Sequence, residues 1–88
     1  MNITSSSSAG TMQSSDLMVR VDPANALEIE IDSTVKKQFE HLIRARIAAV
    51  LEKCAVTRAR VRVSDRGALD YAIEARVETA LRRAAEAA

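Results

Sequence analysis

The single cysteine and the single histidine are the most reactive side chains in this sequence, and neither belongs to a recognisable catalytic constellation. Cys54 could act as a thiol nucleophile or a thioester carrier, but no histidine or other base lies at a suitable spacing from it. Cys54 also falls on the apolar side of a helical pattern, where cysteine commonly behaves as a small buried hydrophobic residue. His41 lies between two apolar positions of the same pattern. We therefore interpret Cys54 as structural and His41 as a surface residue.

Other patterns that could bind a ligand or catalyse a reaction are equally weak. Two pairs of carboxylates are present, Glu28 with Glu30 and Asp65 with Asp70, but two acids on a solvated strand or turn are more typical of a surface than of general acid–base catalysis. A structural zinc site needs about four nitrogen or sulfur ligands, which this sequence cannot supply. The two glycines, Gly10 and Gly67, are too far apart to form a phosphate-binding loop. Composition and spacing therefore predict no enzyme.

A group of arginines leaves two interpretations open. The arginines are Arg58, Arg60, Arg62 and Arg66. They could line a surface that binds phosphate or nucleic acid, as in a small RNA-binding module. Alternatively they face acidic residues on adjacent strands, where opposite charges stabilise a sheet. The acidic residues concerned are Glu28, Glu30 and Asp32. We favour the second interpretation, because no aromatic residues alternate with the arginines as base stacking usually requires.

Length and composition indicate one small domain. The chain has 88 residues, of which 48% are hydrophobic and 28% charged, with a formal net charge of +1. This balance does not suggest a nucleic-acid partner. No apolar run approaches the ~20 residues that span a bilayer, and the first residues do not resemble a secretory signal. We therefore expect a cytoplasmic protein with neither a membrane partner nor a nucleic-acid partner.

The chain begins with an uncharged, serine-rich segment. We expect residues 1–8 to form a flexible N-terminal arm, because the serines at positions 5–8 offer no apolar side chain to bury. The folded domain is then expected to span residues 9–88. Within it, Met12 is expected to pair across from Leu17, with the bend at positions 14 and 15.

The rest of the chain alternates between strand and helix patterns. Two alternating runs, 17–21 and 27–31, are expected to form an antiparallel pair, and a third follows at 59–63. A helix is expected after Ser33 or Thr34 and another near the C-terminus. Their apolar stripes are Val35, Phe39, Leu42, Ile43, Ile47, Val50, Leu51 and Cys54 in the first, and Ile73, Val77, Ala80, Leu81 and Ala84 in the second. The predicted fold class is α+β, a two-layer domain in which two helices pack on a small, mainly antiparallel sheet of three to four strands.

Several segments together resemble one known family. They are residues 9–21 (AGTMQSSDLMVRV), 33–39, 63–70, 76–78 and 80–84. In order and with few gaps, they are similar to the citrate lyase acyl carrier proteins, the gamma subunits of that complex. One departure lies at Gln13, where an acidic residue is common in the family.

The resemblance implies a covalent attachment site at Ser14. Family members carry 2'-(5''-phosphoribosyl)-3'-dephospho-CoA, joined to one serine through a phosphodiester. Ser14 holds that position of the motif, whereas many members have glycine at the position of Ser15. The resemblance therefore implies a carrier that is not itself catalytic.

The resemblance also implies partners and a reaction. The carrier would hold acetyl and citryl thioesters while the alpha subunit exchanges acetyl for citryl and the beta subunit releases oxaloacetate. A prosthetic-group transferase and an acetate-activating ligase would complete the set of partners. Surface charges at Arg58, Arg60 and Arg62 are a hypothetical guide for docking. The carriers of malonate decarboxylase and citramalate lyase are the alternatives that this sequence leaves open.

Overall fold

Four strands and two helices form a two-layer α+β domain in the computed structural model, which describes residues 1–34 and 37–85. The predicted fold class is therefore confirmed. The elements are β1 (Ser7–Gly10), β2 (Leu17–Asp22), β3 (Leu27–Ser33), α1 (Glu40–Lys53), β4 (Ala59–Asp65) and α2 (Asp70–Ala85). A short 3₁₀ turn, Lys37–Phe39, precedes α1. No helix in the described part of the chain is long and apolar enough to cross a membrane.

The strand order differs from the sequence prediction. The order across the sheet is β1-β2-β4-β3, with β2 antiparallel to β1 and β4, and β3 parallel to β4. The predicted pairing of β2 with β3 is wrong, because β4 lies between them. An alternating pattern identifies the buried face of a strand but not its neighbour. Strand β4 is buried at every inward position from Ala59 to Asp65, whereas the inward Leu27 of β3 is 43% exposed, as suits an edge strand.

The first strand lies further upstream than predicted. Gly10 is the last residue of β1 and faces Met18, so the expected pairing of Met12 with Leu17 is wrong. Ser7 and Ser8 belong to the sheet rather than to an arm, which corrects that part of the predicted segment 1–8. Strand pairing uses backbone groups and needs no apolar side chain. The division of the chain at residue 8 otherwise stays a prediction.

The second helix agrees with the sequence prediction and the first agrees in part. Every residue of the predicted α2 stripe is buried. In α1, the stripe is buried from Ile43 to Leu51, but Phe39 and Leu42 are about half exposed, which corrects their predicted burial. Val35 lies outside the described residues. The helix begins only at Glu40 and has no side-chain cap, so the caps predicted at Ser33 or Thr34 are wrong. Because α1 starts later than predicted, Phe39 precedes the helix and is not buried in the core.

The outer face of the sheet is polar and carries paired charges. Arg60 contacts Glu30 at 3.0 Å and Arg66 contacts Asp32 at 3.5 Å, which confirms the cross-strand interpretation for these two arginines. Arg62 pairs instead with Asp22 of β2 at 3.1 Å. Arg60 and Arg62 lie on β4 and Arg66 directly after it, and all three pair with carboxylates of neighbouring strands. Most of the arginine charge on this face is therefore matched within the sheet.

Candidate functional site

Ser14 lies at the tip of the loop 11–16, which joins β1 to β2. The Asp16 N–H donates a hydrogen bond to the Gln13 carbonyl oxygen at 3.2 Å, so Ser14 and Ser15 are the central residues of a four-residue turn. Ser15 has φ of +64°, a value that the third position of a type II turn requires and that glycine adopts more easily. Ser14 is exposed, and within residues 1–34 and 37–85 its hydroxyl makes no hydrogen bond.

Backbone hydrogen bonds fix this turn against the loop 66–69, which leads from β4 to α2. The Ser15 N–H donates to the Arg66 carbonyl oxygen at 2.8 Å, and the Arg66 N–H donates to the Asp16 carbonyl oxygen at 2.9 Å. The two loops therefore continue the β2–β4 pairing beyond the end of the strands. This arrangement holds the backbone beside Ser14 in place while it leaves the serine side chain free.

The Asp16 carboxylate holds the two ends of the loop together. Its oxygens accept hydrogen bonds from the Thr11 hydroxyl at 2.5 Å and from the Leu17 N–H at 2.7 Å. The Arg76 guanidinium of α2 donates two more, at 3.1 and 3.3 Å. The Thr11 hydroxyl, then the Leu17 N–H and Arg76, lower the pKa of Asp16 below its ordinary value of 3.8. The carboxylate is therefore ionised at neutral pH, with the Thr11, Leu17 and Arg76 donors on its oxygens.

The lowered pKa predicts how acid affects this loop. A carboxylate whose pKa is lower in the folded state stabilises that state above the unfolded pKa, and the stabilisation is lost as the pH falls through the folded pKa. We expect the amides of Ser15 and Leu17 to exchange faster in Asp16→Asn at neutral pH. The variant should also lose less stability than the wild type between about pH 5 and pH 2. Hydrogen exchange and acid unfolding followed by circular dichroism measure these effects.

Asp22→Asn is the matched control for that prediction. The Ser6 hydroxyl, then Arg20 and Arg62, lower the pKa of Asp22, which lies at the other end of β2. This control should also flatten the acid unfolding curve, but it should leave amide exchange in the loop 11–16 unchanged. If Asp16→Asn and Asp22→Asn had the same effect on loop exchange, Asp16 would have no specific role in the Ser14 loop.

Gly10 closes the loop on its β1 side. It has φ of +98°, and a Cβ added to it would lie 1.9 Å from the Leu17 carbonyl oxygen. The Thr11 N–H donates to that same oxygen at 3.0 Å. No residue other than glycine fits this close approach of two backbone segments. The sequence analysis did not identify this role of Gly10.

Asp65 is buried, so the predicted surface position of this carboxylate is wrong. This carboxylate is only 1% exposed, at the end of β4. It accepts hydrogen bonds from the Ser33 hydroxyl at 2.8 Å and from the Ala68 N–H at 3.0 Å. Asp65 therefore connects the end of β3 to the segment that enters α2, and it lies opposite Leu17, the residue that follows the Ser14 loop. Gly67, in the same segment, has φ of +90°, a conformation that favours glycine.

The other candidate residues are not brought together with Ser14. Cys54 follows the C-terminus of α1, where it is partly buried and packs against the core. His41 lies at the opposite end of the same helix and is exposed. These positions agree with a structural cysteine and a surface histidine. The described residues contain no cluster of three or more His, Cys, Asp or Glu side chains that could hold a metal ion.

Comparison with known proteins identifies the family. The family model of the malonate decarboxylase delta subunit (MdcD), an ACP family, matches residues 4–84. A citrate lyase acyl carrier protein of Haemophilus influenzae (strain PittEE) is 50% identical over 86 residues, which cover 98% of this chain and 90% of that protein. The chain belongs to the citrate lyase acyl carrier protein family. A second member, from Halothermothrix orenii, is 47% identical and matches 100% of this chain and 95% of its own length.

Solved structures support the fold of this acyl carrier. The structure of a Pseudomonas malonate decarboxylase hetero-tetramer in complex with malonate contains a chain that superposes with a TM-score of 0.71 at 18% identity. The match covers 92% of this carrier and 84% of that chain. A protein of Thermus thermophilus matches with a TM-score of 0.69 at 14% identity, over 94% of this carrier but only 16% of that chain. At these identities the likeness concerns the fold alone.

Proposed function

We propose that this protein is the acyl carrier subunit of citrate lyase, the complex that cleaves citrate to acetate and oxaloacetate. Ser14 is the proposed attachment point, through a phosphodiester, for phosphoribosyl-dephospho-CoA. The observation that carries this proposal is the geometry of Ser14: an exposed hydroxyl without hydrogen-bond partners among the described residues, on a turn anchored at both sides by backbone bonds. The 50% identity to a named citrate lyase carrier supplies the class of reaction.

The residues around Ser14 fit a bulky, anionic substituent. The side chain points away from the packed core, so a large group added to its oxygen requires no rearrangement of the domain. Two arginines lie on the elements that hold the turn, Arg66 on the loop 66–69 and Arg76 on α2. Their side chains are 28% and 42% exposed. Both also contact carboxylates, so they compensate the charge of a phosphodiester only in part. Ser14 therefore offers an accessible site in a surrounding that tolerates a negative charge.

The chain's own contribution is to present the attachment point, and the proposal assigns it no catalysis. The prosthetic group, when bound, supplies a terminal thiol that carries the acyl group as a thioester. A tethered acyl group reaches two active sites at a high effective concentration without diffusing away. The Asp16 carboxylate already accepts bonds from Thr11, Leu17 and Arg76, which leaves it unsuited to act as a base for Ser14.

Loading of Ser14 is proposed to rely on a separate transferase. The serine oxygen forms a new bond to the phosphorus of an activated phosphoanhydride donor, and the phosphoanhydride bond of that donor breaks. Pyrophosphate or phosphate leaves, and a base of the transferase takes the serine proton. The other proposed partners are the alpha and beta subunits of the lyase and the acetate-activating ligase, all in the cytoplasm.

A carrier of malonate decarboxylase is the second candidate. The matching family model and the superposed hetero-tetramer both bear the name of that enzyme. The identity of 18% to the decarboxylase chain is much lower than the 50% to the citrate lyase carrier, which favours citrate lyase. A carrier of citramalate lyase would be distinguished by the substrate that the assembled complex cleaves.

Mass spectrometry tests the proposed function directly. The protein is produced together with its transferase and lyase subunits, and its intact mass is compared with that of the protein produced alone. We expect a mass increase equal to one phosphoribosyl-dephospho-CoA, located by peptide mapping in the segment that contains Ser14. Cleavage of citrate by the reassembled complex should require the loaded form. An unchanged mass in the presence of an active transferase would exclude this function.

A further inference from the structure

One end of the molecule brings together the loops that surround Ser14 and the starts of both helices. In the sheet register Leu17 lies opposite Asp65, and Asp65 lies opposite Ser33. The end of β1, the start of β2 and the ends of β3 and β4 therefore share one edge of the fold. Both helices begin at this edge because α1 follows β3 and α2 follows β4. We call this edge the serine end.

The exposed large apolar side chains of the described chain are concentrated at the serine end. Five of them form what we call the serine-end patch: Met12, Phe39, Leu42, Leu69 and Tyr71. Their exposures run from 45% for Phe39 to 71% for Tyr71. In the described residues the remaining two, Met1 and Leu27, lie at the opposite end. A patch of this kind on a small domain is typical of a protein contact.

The composition of the serine-end patch strengthens this interpretation. Phe39 and Tyr71 are the only aromatic residues in the sequence. The buried core of the described chain contains neither of them and consists of aliphatic side chains. Aromatic residues are enriched in the central contacts of protein interfaces. A chain that keeps both of its aromatic side chains on the surface at the serine end is therefore suited to bind a partner there.

The patch is continuous across the two helices. Leu42 and Asp70 line one depression of about 410 Å³ between α1 and α2, and Tyr71 lines the next, with Ala49 common to both. Arg46 of α1 reaches over to Asp70 of α2 at 2.8 Å. This ion pair holds the start of α2 beside the middle of α1. The two depressions meet at Ala49, so Leu42 and Tyr71 belong to one surface.

We propose that the serine-end patch is the docking surface for the transferase that loads Ser14, an inference that rests on the proposed function. The new bond forms at the serine oxygen itself, so the active site of the transferase must come within bonding distance of this loop. A stable protein contact covers about 800 Å² of each partner. On a molecule of 36 × 22 × 18 Å, such a contact centred on Ser14 extends over the neighbouring loops and helix starts. The lyase subunits act at the far end of a long arm, so their contact with the carrier does not have to include Ser14.

Kinetics of loading with purified transferase test this assignment. Leu69→Ser and Tyr71→Ser remove apolar contacts from the patch, and Leu27→Ser removes a large apolar residue, 43% exposed, from the opposite end. Circular dichroism and thermal midpoints verify that all three variants fold. We expect the patch variants to raise the KM for the carrier about tenfold, with kcat nearly unchanged. Leu27→Ser should behave as the wild type. Titration calorimetry with the same substitutions in a Ser14→Ala background measures the binding step without turnover.

The other possible results would each contradict a different part of the proposal. Equal KM values for the wild type and the patch variants would overturn the assignment. Normal loading combined with weaker binding to the alpha or beta subunit would assign the patch to the lyase instead. A wild-type dimer in sedimentation that the patch substitutions dissociate would assign it to a second copy of this chain. Failure of the wild type to be loaded at all would refute the proposed function, a result distinct from these three.

Discussion

Ser14→Ala is expected to abolish attachment of the prosthetic group completely. The substitution removes the only oxygen to which the proposed phosphodiester can be attached at this position, so the intact mass should equal that of the protein produced without its partners. The folded structure should hardly change, because the Ser14 hydroxyl is exposed and has no hydrogen-bond partner among the described residues. Its free energy of unfolding should stay within about 0.5 kcal/mol of the wild type. Loss of loading is therefore attributable to chemistry rather than to unfolding.

Ser15→Gly and Cys54→Ala are the controls for this result. Ser15→Gly removes the adjacent hydroxyl and places glycine at φ of +64°, a conformation that glycine adopts without strain. It should be loaded as fully as the wild type and be equally or slightly more stable. Cys54→Ala removes the one thiol of the chain, and loading with both the prosthetic group and acetyl should persist. Loading of Ser14→Ala together with loss of loading in Ser15→Gly would move the attachment point to Ser15.

The sequence predicts which residues face the core wherever the period of the pattern is clear. The α2 stripe from Ile73 to Ala84 and the inward residues of β2 and β4 are buried as their spacing indicates. The spacing does not determine strand neighbours, because Leu27, Ile29 and Ile31 present the same alternation beside either β2 or β4. β3 and β4 can pair in parallel because α1 connects them. No short-range pattern in the sequence specifies that pairing. Topology was thus the least predictable part of the fold.

The assignment of Ser14 rests on resemblance and not on local chemistry. Among the described residues, Ser14 has no base, metal ligand or charged pair that would distinguish it from an ordinary polar turn. What holds the turn in place comes from distant parts of the chain: the Arg66 backbone and the Arg76 side chain. Asp65 has a similar dependence, since its burial follows from contacts with Ser33 and Ala68 that spacing alone cannot reveal. Long-range contacts of this kind explain why the geometry of the site needed a structure.

Gly10→Ala is expected to cause a large loss of stability. A Cβ at this position would lie 1.9 Å from the Leu17 carbonyl oxygen, and backbone on both sides of the loop would have to move. The φ of +98° adds about 1–2 kcal/mol of strain for any residue with a Cβ. We expect a total loss of about 3 kcal/mol or more, a large part of the ~5–15 kcal/mol that stabilises a typical domain.

Gly67→Ala separates the two causes of that loss, because the two glycines share a backbone conformation but not an environment. Gly67 has φ of +90°, yet a Cβ added to it would meet no atom within 4 Å. The free energy of unfolding of this variant should therefore fall only by the cost of the strained backbone conformation, about 1–2 kcal/mol. Since each kcal/mol lowers the thermal midpoint of a domain of this size by about 4–8 °C, the two variants should differ clearly in a melting experiment. Equal losses in the two variants would mean that the backbone of the Ser14 loop does not approach Gly10 as closely as the structure indicates. The larger loss at Gly10 would establish that this contact, made by backbone rather than by side chains, holds the attachment loop in place.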